Sequence, residues 1–370
     1  MTLSAPFRDA SLSKSSTYWV LSHSRPPNNI LHPFRISSLL LIIDLYHHQY
    51  QAVVTENRKP WTVGQISAKA GSTAPKTING SCVKRQLDNI PRDCTSIIIS
   101  KKTPSKEDWV LIGRHLTRIT DLKLSFHSSF DSKEDLCDNI PPHWPLKRLA
   151  LVDISGQAVN TPFIIHGQVK HLLLAFTFEL RFDSPTNKEF HKKNAELCKK
   201  EPAITQIYGP EGVPLREMGQ KFLEAKIAEE QKQGLVSNGS DALQAHQSPK
   251  LETLEIIEND AHDVLIRLLA CSRKMLTCLT TFNFCSTNGY DFYTHRTGLR
   301  DVLCVLRKLK SLTLVLGYEC ERPEDLTKLY TRLPQSLEKL HFRGPVSLAK
   351  SESWPEWIQA FGDPKFLPRL

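Results

Sequence analysis

The chain has 370 residues, enough for one large core or two to three smaller domains. With 40% hydrophobic and 24% charged residues it is neither fibrous nor low-complexity. Its net charge of +9 does not mark a nucleic-acid binder: residues 1–92 hold eleven Lys/Arg against four Asp/Glu, the rest is nearly balanced, and no basic face carries interleaved aromatics.

Residues 1–92 read as a basic, loosely structured leader. The first 43 residues are serine-rich, with four basic residues and one acid, Asp9. That composition suits a cytoplasmic or nuclear leader, with a mitochondrial presequence as the alternative. The apolar run Ile36–Tyr46 is broken by Asp44, too short to span a bilayer and too far from Met1 for a secretory signal. GSTAPKT (Gly71–Thr77) has the outline of a phosphate loop, but Pro75 stands where a flexible amide is needed. His47 and His48 are adjacent, so in regular structure they point apart and cannot share a metal.

A hexamer with apolar residues at its first, fourth and sixth positions then recurs. The first block, 93–180, has CTSIII (Cys94, Ile97, Ile99), ITDLKL (Ile119, Leu122, Leu124), LKRLAL (Leu146, Leu149, Leu151) and VKHLLL (Val169, Leu172, Leu174). The last block, 251–370, has LETLEI (Leu251, Leu254, Ile256), LTTFNF (Leu279, Phe282, Phe284), LKSLTL (Leu309, Leu312, Leu314) and LEKLHF (Leu337, Leu340, Phe342). Between middle apolar positions the spacings are 25, 27 and 23, then 82, then 28, 30 and 28. One hexamer is only an amphipathic strand; eight at this period are a repeat. Residues two apart share a strand face, so each hexamer offers one apolar face that stacking with its neighbours would bury, at about 1.5–3 kcal/mol per Leu or Phe. The 82-residue step marks 181–250 as an inserted segment, rich in Lys, Glu, Gln and Ala, helical and solvated, then a linker.

Helices are expected over 259–275, 296–309, 322–333 and 353–361, with Pro323 and Pro355 at N-terminal positions. Strand, turn and helix at this period predict an α/β fold: an irregular solenoid with an inner parallel sheet and outer helices. The hexamers, with LETLEIIEND, LEKLHFRGP and SWPEWIQAF, resemble leucine-rich-repeat proteins, above all the irregular long-repeat kind found in F-box/leucine-rich-repeat adaptors and in fungal proteins of this degenerate type. The resemblance covers about 94–370 without the insertion. It departs from the family where Asn or Cys is expected three residues past the last strand Leu: only Asn259 fits, the others being His127, Ile154, Thr177, Thr287, Gly317 and Pro345.

The resemblance implies a non-enzymatic interaction module and, more specifically, a substrate adaptor of a ubiquitin ligase. That version needs an F-box hairpin ahead of the repeats; residues 33–60 hold an apolar run without the usual Leu-Pro opening, and Trp61 lies just beyond. The alternative is a piece of a larger multidomain protein, an enzyme whose catalytic part is elsewhere. Here no nucleophile elbow is present, and the Asp291/His295 pair in DFYTH has no nucleophile beside it. The nine cysteines form no C-x-x-C pair, so neither a disulfide framework nor a zinc site is expected; Cys271, Cys278 and Cys285, seven apart, fit as packed thiols. No cofactor, metal, small-molecule ligand, membrane or nucleic acid is expected, and the predicted partner is a protein. Lys123, Val152, Leu173, Glu255, Asn283, Thr313, His341 and Arg343, between and just after the strand leucines, are the candidate contacts on a concave face. FLPRL (Phe366–Leu370) sits where a ninth hexamer would open, so the expectation is a repeat cut at its C-terminal edge, with residues that fold back as a cap as the alternative.

Overall fold

The computed structural model describes residues 16–21, 42–44, 74–125, 139–154, 158–177, 180–182, 249–258, 261–271, 273–286, 298–316, 328–345 and 349–370, with scattered positions from 189 to 229. Two strands, β1 (Ser16–Leu21) and β2 (Ile42–Asp44), precede β3 (Lys76–Asn79), β4 (Ser96–Ser100), β5 (Asp121–Ser125) and β6 (Arg148–Val152). Then follow β7 (Ala158–Val159), β8 (His171–Ala175), β9 (Arg181–Phe182), β10 (Thr253–Glu258), β11 (Thr281–Ser286), β12 (Ser311–Val315) and β13 (Lys339–Pro345). β7 and β9 pair with each other. The others form one sheet in the order β2-β1-β13-β12-β11-β10-β8-β6-β5-β4-β3. From β3 to β13 its nine strands are parallel and lie in chain order, while β1 and β2 add antiparallel at the β13 edge.

The register follows from the hexamers. Ile97, Leu122, Leu149, Leu172, Leu254, Phe282, Leu312 and Leu340 lie side by side in one row, and the sixth-position residues form the next. All three apolar positions of every hexamer are buried, from Cys94 to Phe342. The helices cover the same face: α1 (Val83–Leu87), α2 (Lys106–His115), α3 (Pro162–Ile165), α4 (Ala261–Cys271), α5 (Arg273–Leu276), α6 (Gly298–Val305) and α7 (Trp354–Gly362). Trp109, Ile112, Leu265, Leu268, Leu303 and Trp357 of these helices belong to one continuous core with the strand residues. The protein is thus a two-layer α/β fold.

A second regularity is in the backbone. The carbonyl of the residue before each strand accepts two N–H groups from the next: Thr95 from Thr120 and Asp121, Thr120 from Lys147 and Arg148, Lys147 from Lys170 and His171. The series continues through Lys170, Glu252, Thr280 and Lys310. It crosses the 82-residue step unbroken, because Glu252 and Thr253 bond to Lys170 as if nothing lay between. The backbone ladder thus runs from β8 directly to β10 across the step. The intervening segment is not wholly solvated, since Phe222 packs against the main core with the Lys193 ammonium 4.7 Å over its ring.

The sheet begins earlier than residue 93. β3 and α1 lie inside the stretch expected to be loose, and Ile78, Val83, Leu87 and Ile90 are buried there. KTIN offers one inward apolar residue, too little for the hexamer to register. A turn closes this edge at Gly80, whose Cβ, if present, would fall 1.6 Å from the Lys102 carbonyl oxygen. α2 carries a capping box that the sequence contains in plain sight: Ser105 Oγ accepts from the Asp108 N–H, and the Asp108 carboxylate accepts from the Ser105 N–H. Of the helix expected over 322–333, the described residues show a single 3₁₀ turn, Leu329–Arg332; positions 321–327 lie outside them.

At the other edge α7 starts with Pro355 in its first turn, as expected, and stacks aromatics on the last strand. Trp357 lies 5.2 Å from Phe342 and 5.3 Å from Tyr330, ring centre to ring centre, and Phe366 lies 5.3 Å from Phe361. Phe366–Leu370 form turns, with Leu367 buried and Leu370 packed on the core. Among the described residues no helix is long and apolar enough to cross a membrane.

Candidate interaction face

A strand that buries alternate residues must point the others away, so the sheet has a second face opposite the helices. Its side chains line up in rows across strands about 4.8 Å apart. One row runs Ile98, Lys123, Ala150, Leu173, Glu255, Asn283, Thr313, His341. The next runs Ser100, Ser125, Val152, Ala175, Ile257, Cys285, Val315, Arg343. All eight sequence-predicted contacts fall in these rows, six in the first, with Val152 and Arg343 in the second. Scattered over more than two hundred positions of the chain, they become neighbours on one face.

The face divides in two. Around the middle, Ala150, Leu173 and Ala175 form a small apolar cluster of their own, with Val152, Phe176 and Ile257 packed against it. Beyond Glu255 the first row turns polar through Asn283, Thr313 and His341. Phe176 was not foreseen. It follows β8 with φ 53°, and this left-handed turn lets its ring close on the cluster. Lys101 and Asp153 take the same conformation after β4 and β6, and each of the three donates its N–H to the last strand residue, or its neighbour, of the next repeat. The signal is faint: a non-glycine residue with positive φ is not announced by residue type.

Burial governs the electrostatics. The Lys123 ammonium is half-buried, which lowers its pKa, with Asp153 opposing. Burial raises the Glu255 carboxyl above the usual range, although the Asn283 side chain, its neighbour in register, hydrogen-bonds to it and pulls the other way. His341 is lowered by burial and then by Arg343. Cys285 is pushed up to about 11 by burial, so its thiol is not a nucleophile at neutral pH. Two expected contacts are less accessible than a bare face would leave them: Leu173 and Arg343 are each 5% exposed.

Where the strands end, a buried polar link joins repeats. The backbone N–H and the hydroxyl of Thr177 both donate to the Glu258 carboxylate. Thr177 follows β8, and Glu258 ends β10, the neighbouring strand in the sheet, so the contact links the two strand ends. The Asp291/His295 pair lies outside the described residues. No protein-family model matches the chain, and neither a curated protein nor a solved structure does.

Proposed function

We propose that the chain is an irregular leucine-rich-repeat-type solenoid serving as a non-enzymatic interaction module, and that it binds a protein partner on the face of its parallel sheet opposite the helices. One observation carries this reading: strands in chain order and constant register bring an apolar cluster and a polar row together on the sheet face opposite helices α1 to α7. Small apolar and neutral polar groups at this density suit a protein surface; a phosphate backbone asks for rows of Lys and Arg. The strict repeat of the backbone contacts, through the insertion, supports the solenoid. The adaptor version adds a second partner, the linker subunit of a ubiquitin ligase, held by residues 33–60.

A photo-crosslinking amino acid in place of Thr313, which is half-buried on the face, is compared with one in place of Val110, exposed on α2. In extract, the Thr313 position is expected to capture a protein that the Val110 position does not, and Asn283→Arg is expected to abolish the capture. Identical products from both positions refute the face. Absence of the linker subunit from the retained proteins removes the adaptor version alone.

A further inference from the structure

A cleft of about 450 Å3 opens at the N-terminal ends of the middle strands, between the segments leading into β6, β8 and β10. It shares no residue with the interaction face. Its volume lies in the range of small-molecule sites, roughly 300–1,000 Å3, which are mostly apolar with a few placed polar groups. The lining has that character. Trp144, Leu146 and Phe163 supply apolar wall, and all three are buried, so the wall is part of the core and not a loose flap. Trp144 is fixed further by its indole N–H, which donates to the Leu116 carbonyl at 2.5 Å, and by Trp109 at 6.3 Å.

Beside the polar His166 and Gln168, the charged groups of the lining are lysines. Lys147, Lys170 and Lys250 reach the cleft, and no aspartate or glutamate lines it among the described residues. Lys170 is tied to Glu252 at 2.7 Å, whereas Lys147 and Lys250 make no ion pair among the described residues. The backbone ladder sets the lysines: Lys170 donates its N–H to the Lys147 carbonyl, and Lys250 donates its own to Gly167. Gly167 has φ +58°, and a Cβ there would fall 2.8 Å from that of Met275, so the turn that seats Lys250 is held by close packing. Two unpaired ammonium groups at the mouth of an apolar, aromatic-walled cleft are complementary to a ligand with an apolar body and an anionic head.

We propose that this cleft binds a small amphipathic organic anion, an aromatic or acyl body carrying a carboxylate, sulfonate or phosphate. The full chain is titrated with 8-anilinonaphthalene-1-sulfonate, an aromatic anion, and with N-phenyl-1-naphthylamine, its uncharged counterpart. The anion is expected to bind one to one, and the uncharged dye at least about tenfold more weakly, since two partly exposed charge contacts are lost. Lys147→Glu with Lys250→Glu is expected to weaken the anion by about tenfold or more, and Lys84→Glu with Arg85→Glu on α1, an equal charge change, to leave it unaltered. Lys147→Gln with Lys250→Gln removes the charges without adding new ones and guards against a folding defect, checked by circular dichroism. Decanoate and decyl phosphate as competitors separate the two head groups. Full affinity in the glutamine pair, equal binding of the uncharged dye, or equal loss in the α1 pair each overturns the proposal.

Discussion

Leu312 and Thr313 are adjacent on β12 yet belong to opposite sides of the sheet. Leu312 is 1% exposed and lies in register between Phe282 and Leu340. Thr313 is half-buried between Asn283 and His341 on the other face. Leu312→Ala removes a fully buried side chain and leaves a cavity among aromatic and leucine neighbours, costing about 2–5 kcal/mol. Leu312→Asp loses the same burial and adds an uncompensated carboxylate, several kcal/mol more, against a total stability of about 5–15 kcal/mol for a typical domain. It is expected to leave the chain unfolded or aggregated. Thr313→Asp places its charge beside His341 and a hydrogen-bonding Asn, and is expected to shift stability by no more than about 1 kcal/mol. Urea denaturation followed by circular dichroism reads both, with the slope against urea as a check that the same surface is exposed on unfolding. A one-residue slip of the strand exchanges the two faces. Equal responses at 312 and 313, or a tolerant Leu312, refute the register on which the rows depend.

Gly80→Ala sets a methyl carbon against the Lys102 backbone carbonyl, where only backbone movement makes room; a loss of about 3 kcal/mol and early proteolysis near β3 are expected, and an unchanged melting temperature contradicts the close approach. Lys170 and Glu252, each nearly half exposed, are expected to couple by less than about 1 kcal/mol in a double-mutant cycle, with the coupling fading in high salt. His341 has its pKa lowered below the ordinary 6.5 by burial, so its unfolded form takes up a proton first as pH falls. Its contribution is therefore complete above pH 6.5 and is lost below it as pH falls through the folded-state value, in the same sense as the lowered His171. Urea midpoints compared above and below that pH are expected to fall less in His341→Gln than in the unaltered chain; equal falls remove His341 as the cause.

What the sequence makes legible is what periodicity controls. Eight hexamers place eight strands, their inward residues and their order, and the 82-residue step locates the segment that leaves the sheet. Strand β3 escapes because Ile78 alone faces inward, and a strand with one apolar residue has no period. α2 escapes the hexamer period although Ser105 and Asp108 announce its start, because a capping box marks where a helix begins and carries no repeat of its own. The candidate contact residues share one sheet face because alternation within each hexamer fixes which side they take. Their accessibility is not legible: alternation gives a side and says nothing of what lies over it, and Leu173 and Arg343, candidate contacts both, are buried. The cleft was invisible for a different reason. Trp144, Phe163 and Lys250 have no common spacing, and only the pairing of β6 with β8 and of β8 with β10 brings them together.

The burial of the proposed interaction face also restricts the kind of partner the proposal admits. Lys123, Glu255 and His341 all have their charged forms disfavoured by loss of water, and in each case burial is the largest cause. A partner that brought its own charges would have to shed their hydration against groups already reluctant to be charged. Neutral hydrogen-bonding groups face no such cost, and Glu255 with Asn283 already shows the pattern, a carboxyl and a carboxamide joined across adjacent strands. The apolar cluster at Ala150, Leu173 and Ala175 lies one strand away from that pair. An aromatic or aliphatic side chain set on the cluster, flanked by an amide or hydroxyl reaching Glu255 and Asn283, satisfies both halves of the face at once. Recognition of that kind varies little with salt. Anion binding in the proposed lysine-edged cleft is expected to weaken as salt rises, so an ionic-strength series separates the two proposed surfaces without a single mutation.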